Sequence, residues 1–167
     1  MHQPTVIGTP DSSIRYIDRP TVKALVLNAK NEVLIINNGL LPGGGIEDNE
    51  DDATALRREI IEELGMTVSN INSLETIIQY RNFLNKKYVI NGYTVRYEGN
   101  LVNTSPQDEG EAQFTYAWYS IEDAKKLLNK SISQIEATKP VLDDTYQGKI
   151  FNLRTTRVLL DSYAKSS

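Results

Sequence analysis

The order of patterns along the chain predicts the fold class α/β (α+β), with a mixed β-sheet flanked by helices. Strand-like runs rich in Val, Ile and Tyr lie on both sides of one strongly periodic helical segment, residues 51–64. Strands and helices do not alternate strictly, which favours a mixed sheet. No repeat, low-complexity tract or linker composition divides the 167 residues, so we expect a single domain over residues 1–167.

The first half of the chain is predicted to contain two strands, a glycine-rich loop and a helix. Residues 21–27 and 33–36 are rich in β-branched side chains and are separated by a polar turn, which indicates two strands. Residues 42–45, Pro-Gly-Gly-Gly, suit a tight backbone path. In residues 51–64 apolar side chains recur every three or four positions, acids crowd the first turn, and Gly65 follows as a stop signal.

Three further strands are predicted at residues 71–80, 87–101 and 114–119, because these runs are rich in Val, Ile, Tyr and Phe. Within residues 87–101 the large side chains change from one face to the other at Asn91-Gly92. That change indicates either a β-bulge or a tight hairpin turn, and the pattern alone leaves both open.

Two helices are predicted near the carboxyl end of the chain. Ser120 and Asp123 form the pattern of a capping box in front of a short helix. Residues 150–163 have the apolar spacing of a closing helix. The polar residues 129–147 between them receive no assignment.

The composition argues against several kinds of chemistry. The chain has no cysteine, and its one histidine is His2, which disfavours thiol catalysis, iron–sulfur clusters, zinc sites and His-based triads. Acid, base and metal chemistry would then fall to carboxylates, Lys, Tyr and backbone groups. The net charge of −4 argues weakly against a nucleic-acid-binding surface.

The sequence shows neither a membrane-spanning run nor a signal peptide. No apolar stretch approaches the ~20 residues that cross a bilayer. The first twenty residues mix charges with prolines and lack an apolar centre. We therefore expect a cytoplasmic protein with no membrane and no nucleic-acid partner.

The acidic excess of the chain is concentrated in one short segment. Residues 47–63 contain eight acidic and two basic residues, a net charge of −6. Within it, Glu59, Glu62 and Glu63 are spaced i, i+3 and i+4, so a helix places the three carboxylates on one face. Such like charges disfavour the helix unless a cation lies among them, and Mg²⁺ prefers oxygen ligands of this kind. The alternative is an ordinary solvated acidic face.

The longer pattern around these glutamates resembles the Nudix box, Gx5Ex7REUxEExGU with U aliphatic. Gly44, Glu50 and the run Arg58 to Met66, REIIEELGM, meet every defined position, and Leu-Pro-Gly-Gly precedes the box. The resemblance implies an α/β/α sandwich around a mixed sheet, with the box, residues 43–66, as a loop–helix–loop catalytic motif and residues 1–20 as an amino-terminal extension. It also implies hydrolysis of a nucleoside diphosphate linked to another moiety.

Carried over by position, the resemblance assigns roles to six residues of the box. It implies that Mg²⁺ or Mn²⁺ binds to the carboxylates of the three glutamates and to one main-chain carbonyl, and that one ion pair orients the helix against the loop. The metal ligands are Glu59, Glu62, Glu63 and the Gly43 carbonyl, and the ion pair is Glu50 with Arg58.

Four other residues, in the box or late in the chain, bear on this assignment. Asn49 replaces the glycine common before the residue matching Glu50, and Asn tolerates the left-handed backbone conformation. Glu47 is either a metal or second-layer residue or a solvated loop acid. Glu111 or Glu109, which precede Trp118, are candidates for a further metal ligand or general base, with a solvated turn as the alternative.

Candidate substrate-binding residues lie downstream of the box. Arg81 is a cation that can hold a phosphate of the substrate. The aromatic candidates are Tyr80, Phe83 and Tyr88, with Tyr93, Tyr97, Tyr116 and Trp118 as further ones, and each has sheet packing as its alternative. The absence of a proline between Pro42 and Pro106 disfavours an ADP-ribose hydrolase, which usually carries one about sixteen residues after the box.

Several functions are consistent with these observations. The preferred one is hydrolysis of a nucleoside triphosphate, especially a damaged one, to a monophosphate and pyrophosphate. The alternatives are an ADP-ribose or nucleotide-sugar pyrophosphatase, a catalytically silent Nudix-fold module that binds nucleotides, and an interaction protein whose acidic segment binds a basic partner. The family also suggests a homodimer in which the segment before Thr21 completes the partner's sheet.

Overall fold

The computed structural model describes residues 3–101, 114–137 and 144–167. Within these ranges the chain forms one six-stranded sheet, three α-helices and a short 3₁₀ turn. The strands are β1 (Thr5–Ile7), β2 (Ile17–Leu27), β3 (Val33–Ile36), β4 (Met66–Arg81), β5 (Lys86–Asn100) and β6 (Tyr116–Tyr119). The helices are α1 (Asp52–Leu64), α2 (Ile121–Ala137) and α3 (Asp144–Ser166), and the turn spans Asn82–Leu84.

The sheet is mixed and lies between two helical layers. Its strand order is β1-β4-β5-β2-β3-β6, with β1 parallel to β4, β2 parallel to β5 and the other neighbours antiparallel. Helix α1 covers one face, and α2 and α3 cover the other, so the sheet has a hydrophobic core on each side. The predicted fold class, a mixed sheet flanked by helices, is confirmed.

Strand β2 is the shared wall of the two cores. Val22, Ala24 and Val26 pack toward α1, whereas Leu25 and Leu27 pack in the core beneath α2 and α3. This alternation follows from the two-residue period of a strand. The side chain of residue 23, a lysine in an otherwise apolar run, therefore projects to the α3 side.

The helix of the acidic segment has the ends that the sequence predicts. The Asp51 carboxylate caps it by accepting from the Thr54 N–H at 2.8 Å. Gly65 ends it in the left-handed conformation, φ 62°, and its N–H donates to the Ile61 carbonyl at 2.8 Å. Ala55, Leu56 and Ile60 of this helix are fully buried, which leaves the glutamates on the opposite sides of the helix.

Several other elements are longer than predicted. β2 begins at Ile17 because the exposed residues 17–20 pair with the first residues of β5. β4 begins directly after Gly65, and α2 continues to Ala137 through residues that received no assignment. Backbone pairing and tertiary packing extend these elements beyond their apolar patterns.

The change of face in β5 marks a bulge and not a hairpin. β5 runs unbroken through Asn91-Gly92, and the extra residue lies on β4, where Ser73 and Glu75 oppose the adjacent residues Tyr93 and Gly92. Gly92 lies under the Leu159 side chain of α3 and has no room for a Cβ. The large side chains of β5 beyond it therefore project to the α1 side.

The amino-terminal segment completes the sheet of its own chain. β1 pairs in parallel with residues 77–79 of β4, and the first residues of β2 pair with β5. Within this chain the long β4 offers the pairing edge for β1, and a homodimer in which the segment before Thr21 completes the partner's sheet stays a prediction. Among the described residues, none of the helices combines the length and the apolar character that a membrane span requires.

Candidate active site

The glycine-rich loop is bonded to β2 through its main chain. The N–H groups of Ala24 and Val22 donate to the carbonyls of Pro42 and Gly44 at 3.0 and 2.9 Å. Gly43 between them has φ +126°, and a Cβ there would collide with the Val22 carbonyl oxygen. Only glycine fits at this position, because both the conformation and the contact exclude a side chain.

Two glutamates of α1 lie directly against this loop. The Gly43 N–H donates to Oε2 of Glu63 at 2.9 Å. A Cβ on Gly44 would lie 2.6 Å from Cδ of Glu59, so this glycine allows the carboxylate to approach the backbone. The loop and the helix therefore bring main-chain atoms and two carboxylates into contact.

Arg58 joins the loop to the other carboxylates. Its Nε and Nη2 donate to the two oxygens of Glu50, both at 2.9 Å, and Nη2 also donates to the Gly45 carbonyl at 3.0 Å. Its Nη1 donates to Glu59 at 2.9 Å and to Glu62 at 3.2 Å. The hydrogen bonds that Arg58 donates to Glu50 hold the pKa of the Glu50 carboxyl below its usual range and raise the pKa of Arg58.

The lowered pKa of Glu50 gives the Glu50–Arg58 pair a defined pH dependence. A carboxylate whose pKa is lower in the folded state stabilises the fold above its unfolded pKa, about 4.3, and this contribution is lost as the pH falls through the folded pKa. We expect Glu50→Gln to be less stable than wild type at pH 7 and to approach it as the pH falls below about 4. Urea unfolding at several pH values measures the difference. Asp48→Asn, a change of an exposed loop acid, should show no such convergence.

The remaining loop residues of the box lie at its margin. Asn49, at the position where a glycine is common, adopts the left-handed backbone conformation with φ +65°. The Glu47 side chain is 72% exposed, and its carboxylate is 4.0 Å from Nη1 of Arg58. Glu111 and Glu109 lie outside the described residues.

A cavity of about 250 Å³ opens beside the loop on the α3 side of the sheet. Of the predicted substrate-binding residues, Arg81 and Tyr88 line it, together with Glu63 and Gly43. Tyr80 projects from the other face of β4, where its ring packs edge-to-face on Tyr16 at 5.2 Å. Phe83 packs against the core beneath α2 and α3. Neither Tyr80 nor Phe83 lines this cavity.

Lys23 is a further cation of this cavity that was not among the predicted site residues. Lys23 donates from Nζ to the carbonyls of Leu41, at 3.0 Å, and Gly43. Burial lowers the pKa of the ammonium, Glu63 and Glu59 oppose that change, and Arg81 adds to it. A lysine within the buried run of β2 is the sequence signal that identifies it, because charged side chains are almost never buried without a partner.

Arg81 is held on the opposite wall by uncharged partners. It donates to Oε1 of Gln79 at 2.9 Å and to Oδ1 of Asn152, a residue of α3, at 2.7 Å. Its guanidinium also lies over the Tyr88 ring, 4.4 Å from the centroid. Burial lowers the pKa of Arg81. Asn152 and Thr155 of α3 also line the cavity and were likewise missed.

The glutamates are not arranged around a common point. Among the residues that the structure describes, no three Asp, Glu, His or Cys side chains are grouped so as to hold a metal ion. Instead, Arg58 binds Glu59 and Glu62, and the Gly43 N–H binds Glu63. The donors themselves, three carboxylates of one helical turn beside a main-chain carbonyl, are nevertheless of the type that Mg²⁺ and Mn²⁺ bind.

Comparisons with known proteins identify the family to which this fold belongs. The family model described as the NUDIX domain matches residues 18–139. A MutT Nudix hydrolase from Burkholderia pseudomallei is similar in structure, with a TM-score of 0.57 and 18% identity over 87% of this chain and 98% of its own. A Nudix hydrolase from Nitrosomonas europaea gives 0.52 and 18% over 77% and 99%. No curated protein sequence gave a significant match.

The chain belongs to the Nudix family, because the family model covers most of its length. It is a Nudix hydrolase, which acts on phosphoric anhydrides. The structural neighbours, at this level of identity, support the fold.

Proposed function

We propose that the protein is a Mg²⁺- or Mn²⁺-dependent pyrophosphohydrolase for a nucleoside diphosphate linked to another group. The observation that carries the proposal is the contact of Glu59 and Glu63 with the Gly43–Gly44 main chain at the mouth of a cation-lined cavity. Negative metal-binding groups and positive phosphate-binding groups thus lie side by side. This is the arrangement that hydrolysis of a phosphoric anhydride requires.

In this proposal the divalent cation is held by the carboxylates of Glu59, Glu62 and Glu63 and by the Gly43 carbonyl. The bound cation supplies charge neutralisation at the diphosphate and activation of the attacking water. Arg58 and Glu50 position this set, because Arg58 ties α1 to the loop through Glu50 and the Gly45 carbonyl. Glu111 remains a candidate for a further ligand or general base.

Lys23 and Arg81 are the groups that hold the substrate's phosphates. Both are cations that line the cavity next to Glu63. The acceptors of the Arg81 hydrogen bonds are the uncharged amide oxygens of Gln79 and Asn152, which do not neutralise its positive charge. Buried cations of this kind form strong, charge-assisted hydrogen bonds with phosphate oxygens.

The far wall of the cavity favours a base rich in hydrogen-bond acceptors. The acceptor oxygen of Asn152 is engaged by Arg81, so beside the phosphate-binding Arg81 the wall presents the N–H donors of the Asn152 amide. A donor wall suits carbonyl oxygens of an oxopurine and disfavours the exocyclic amino group of adenine. This supports the preference for a nucleoside triphosphate, especially an oxidised one, over ADP-ribose.

A substrate panel with Mg²⁺ or Mn²⁺ tests the proposal. The panel contains GTP and an 8-oxopurine triphosphate, ATP, ADP-ribose, a nucleotide sugar and a dinucleoside polyphosphate. We expect the highest kcat/KM for the oxopurine triphosphates, with pyrophosphate as product. Preferential cleavage of ADP-ribose or the sugar nucleotide would replace the substrate proposal, and nucleotide binding without any turnover would favour a silent module.

A further inference from the structure

Lys23 is bonded to an atom that the proposed metal site needs. Its ammonium donates to the carbonyl oxygens of Leu41 and Gly43, and the Gly43 oxygen is the proposed main-chain metal ligand. Glu63 and Glu59, two of the proposed carboxylate ligands, also act on this ammonium electrostatically. The Lys23 ammonium thus binds a carbonyl oxygen that the divalent cation would use as a ligand.

The lysine and a divalent cation are poorly compatible on the same oxygen. Two positive charges that share one carbonyl repel each other, and in a partly buried site that repulsion is only weakly screened by salt. Lysine has a flexible four-carbon stem, and Lys23 lines the cavity of about 250 Å³. Its ammonium can therefore move away from the loop while the strand stays in place.

We propose that Lys23 is a displaceable substitute for the metal: it holds the Gly43 carbonyl in the metal-free protein and releases it when the divalent cation binds. The inference rests on the proposed function. It explains how the loop keeps its path without metal, since a buried carbonyl needs a hydrogen-bond donor. Arg58 likewise donates to Glu59 and Glu62, two further proposed ligands.

Direct metal binding to the full-length chain tests the displacement. Lys23→Met removes the competing donor, so we expect the Kd for Mn²⁺, measured by electron paramagnetic resonance, to fall by roughly tenfold or more. Arg81→Met is the matched control, because it removes a cation from the same cavity but one that does not contact the loop. We expect it to change the Kd by about twofold at most, since it acts only through space.

A second measurement follows the wild-type lysine itself. In ¹⁵N-resolved NMR spectra of the lysine ammonium groups of the wild-type protein, the Lys23 signal is assigned through bonds from the backbone resonances of Lys23. We expect it to shift and to exchange faster with solvent as Mg²⁺ saturates the protein. This measurement decides the question even if Lys23→Met does not fold.

The outcomes separate the two proposals. Equal tightening by Lys23→Met and Arg81→Met, weaker binding by Lys23→Met, or a Lys23 signal that is unchanged at saturating Mg²⁺ would overturn the displacement and leave the metal site intact. If folded wild type and folded Lys23→Met both fail to bind Mn²⁺, the metal-dependent function itself fails, and the displacement fails with it.

Discussion

Glu63→Gln should lower kcat by roughly 10³-fold while the protein remains folded. The substitution removes one negative charge from the proposed metal site and keeps the size of the side chain. The Gln carbonyl oxygen can still accept the Gly43 N–H that Glu63 accepts at 2.9 Å, so the loop keeps its contact with α1. The loss should therefore appear in turnover and Mn²⁺ affinity, with a Tm within about 3 °C of wild type.

Pyrophosphate release with the best substrate of the panel, together with a thermal melt, checks this expectation. Glu122→Gln is the matched control, since it removes the same charge from an exposed position in the first turn of α2. It should retain wild-type turnover. Full Mg²⁺-dependent activity of Glu63→Gln with a normal melt would remove Glu63 from the metal ligands.

The parts of the site that follow from local sequence could be predicted. The Gly65 stop and the spacing of the glutamates, which the residue pattern predicts, and the Glu50–Arg58 pair, which the resemblance implies, all lie within residues 50–65. Side-chain geometry on a single helix and its adjoining loop follows from the helical period and from capping rules. The resemblance to the Nudix box rests on the same stretch.

The way Lys23 and Asn152 join the predicted candidate Arg81 around the cavity could not be predicted in the same way. Lys23, Arg81 and Asn152 come from β2, β4 and α3, and they meet only because the sheet order places these elements together. The position of a residue in the two-residue alternation of its strand decides which face it occupies, and in β4 bulges shift that alternation. Tyr80 and Arg81 show the consequence, since adjacent residues project to opposite faces of the sheet.

The packing of the loop against β2 explains why residue 43 is a glycine. Gly43 and Gly99 both have positive φ angles, +126° and +153°. At Gly43 an added Cβ would meet the Val22 carbonyl and lie 3.0 Å from the Lys23 Cα, whereas at Gly99 it would meet nothing within 4 Å. A substitution at Gly99 therefore introduces backbone strain alone, whereas one at Gly43 introduces strain and a steric collision.

Gly43→Ala should destabilise the protein by about 3–4 kcal/mol, because strain of about 1–3 kcal/mol is added to a clash with backbone atoms that cannot rotate away. For a chain of this size we expect Tm to fall by about 10 °C. Gly99→Ala carries the strain alone and should lower Tm by only about 3 °C. A thermal melt of both variants measures the difference, and equal shifts would mean that the loop moves off β2 without resistance. Where Gly43→Ala still folds, displacement of the loop would separate the Gly43 N–H from Glu63, so kcat/KM should fall as well.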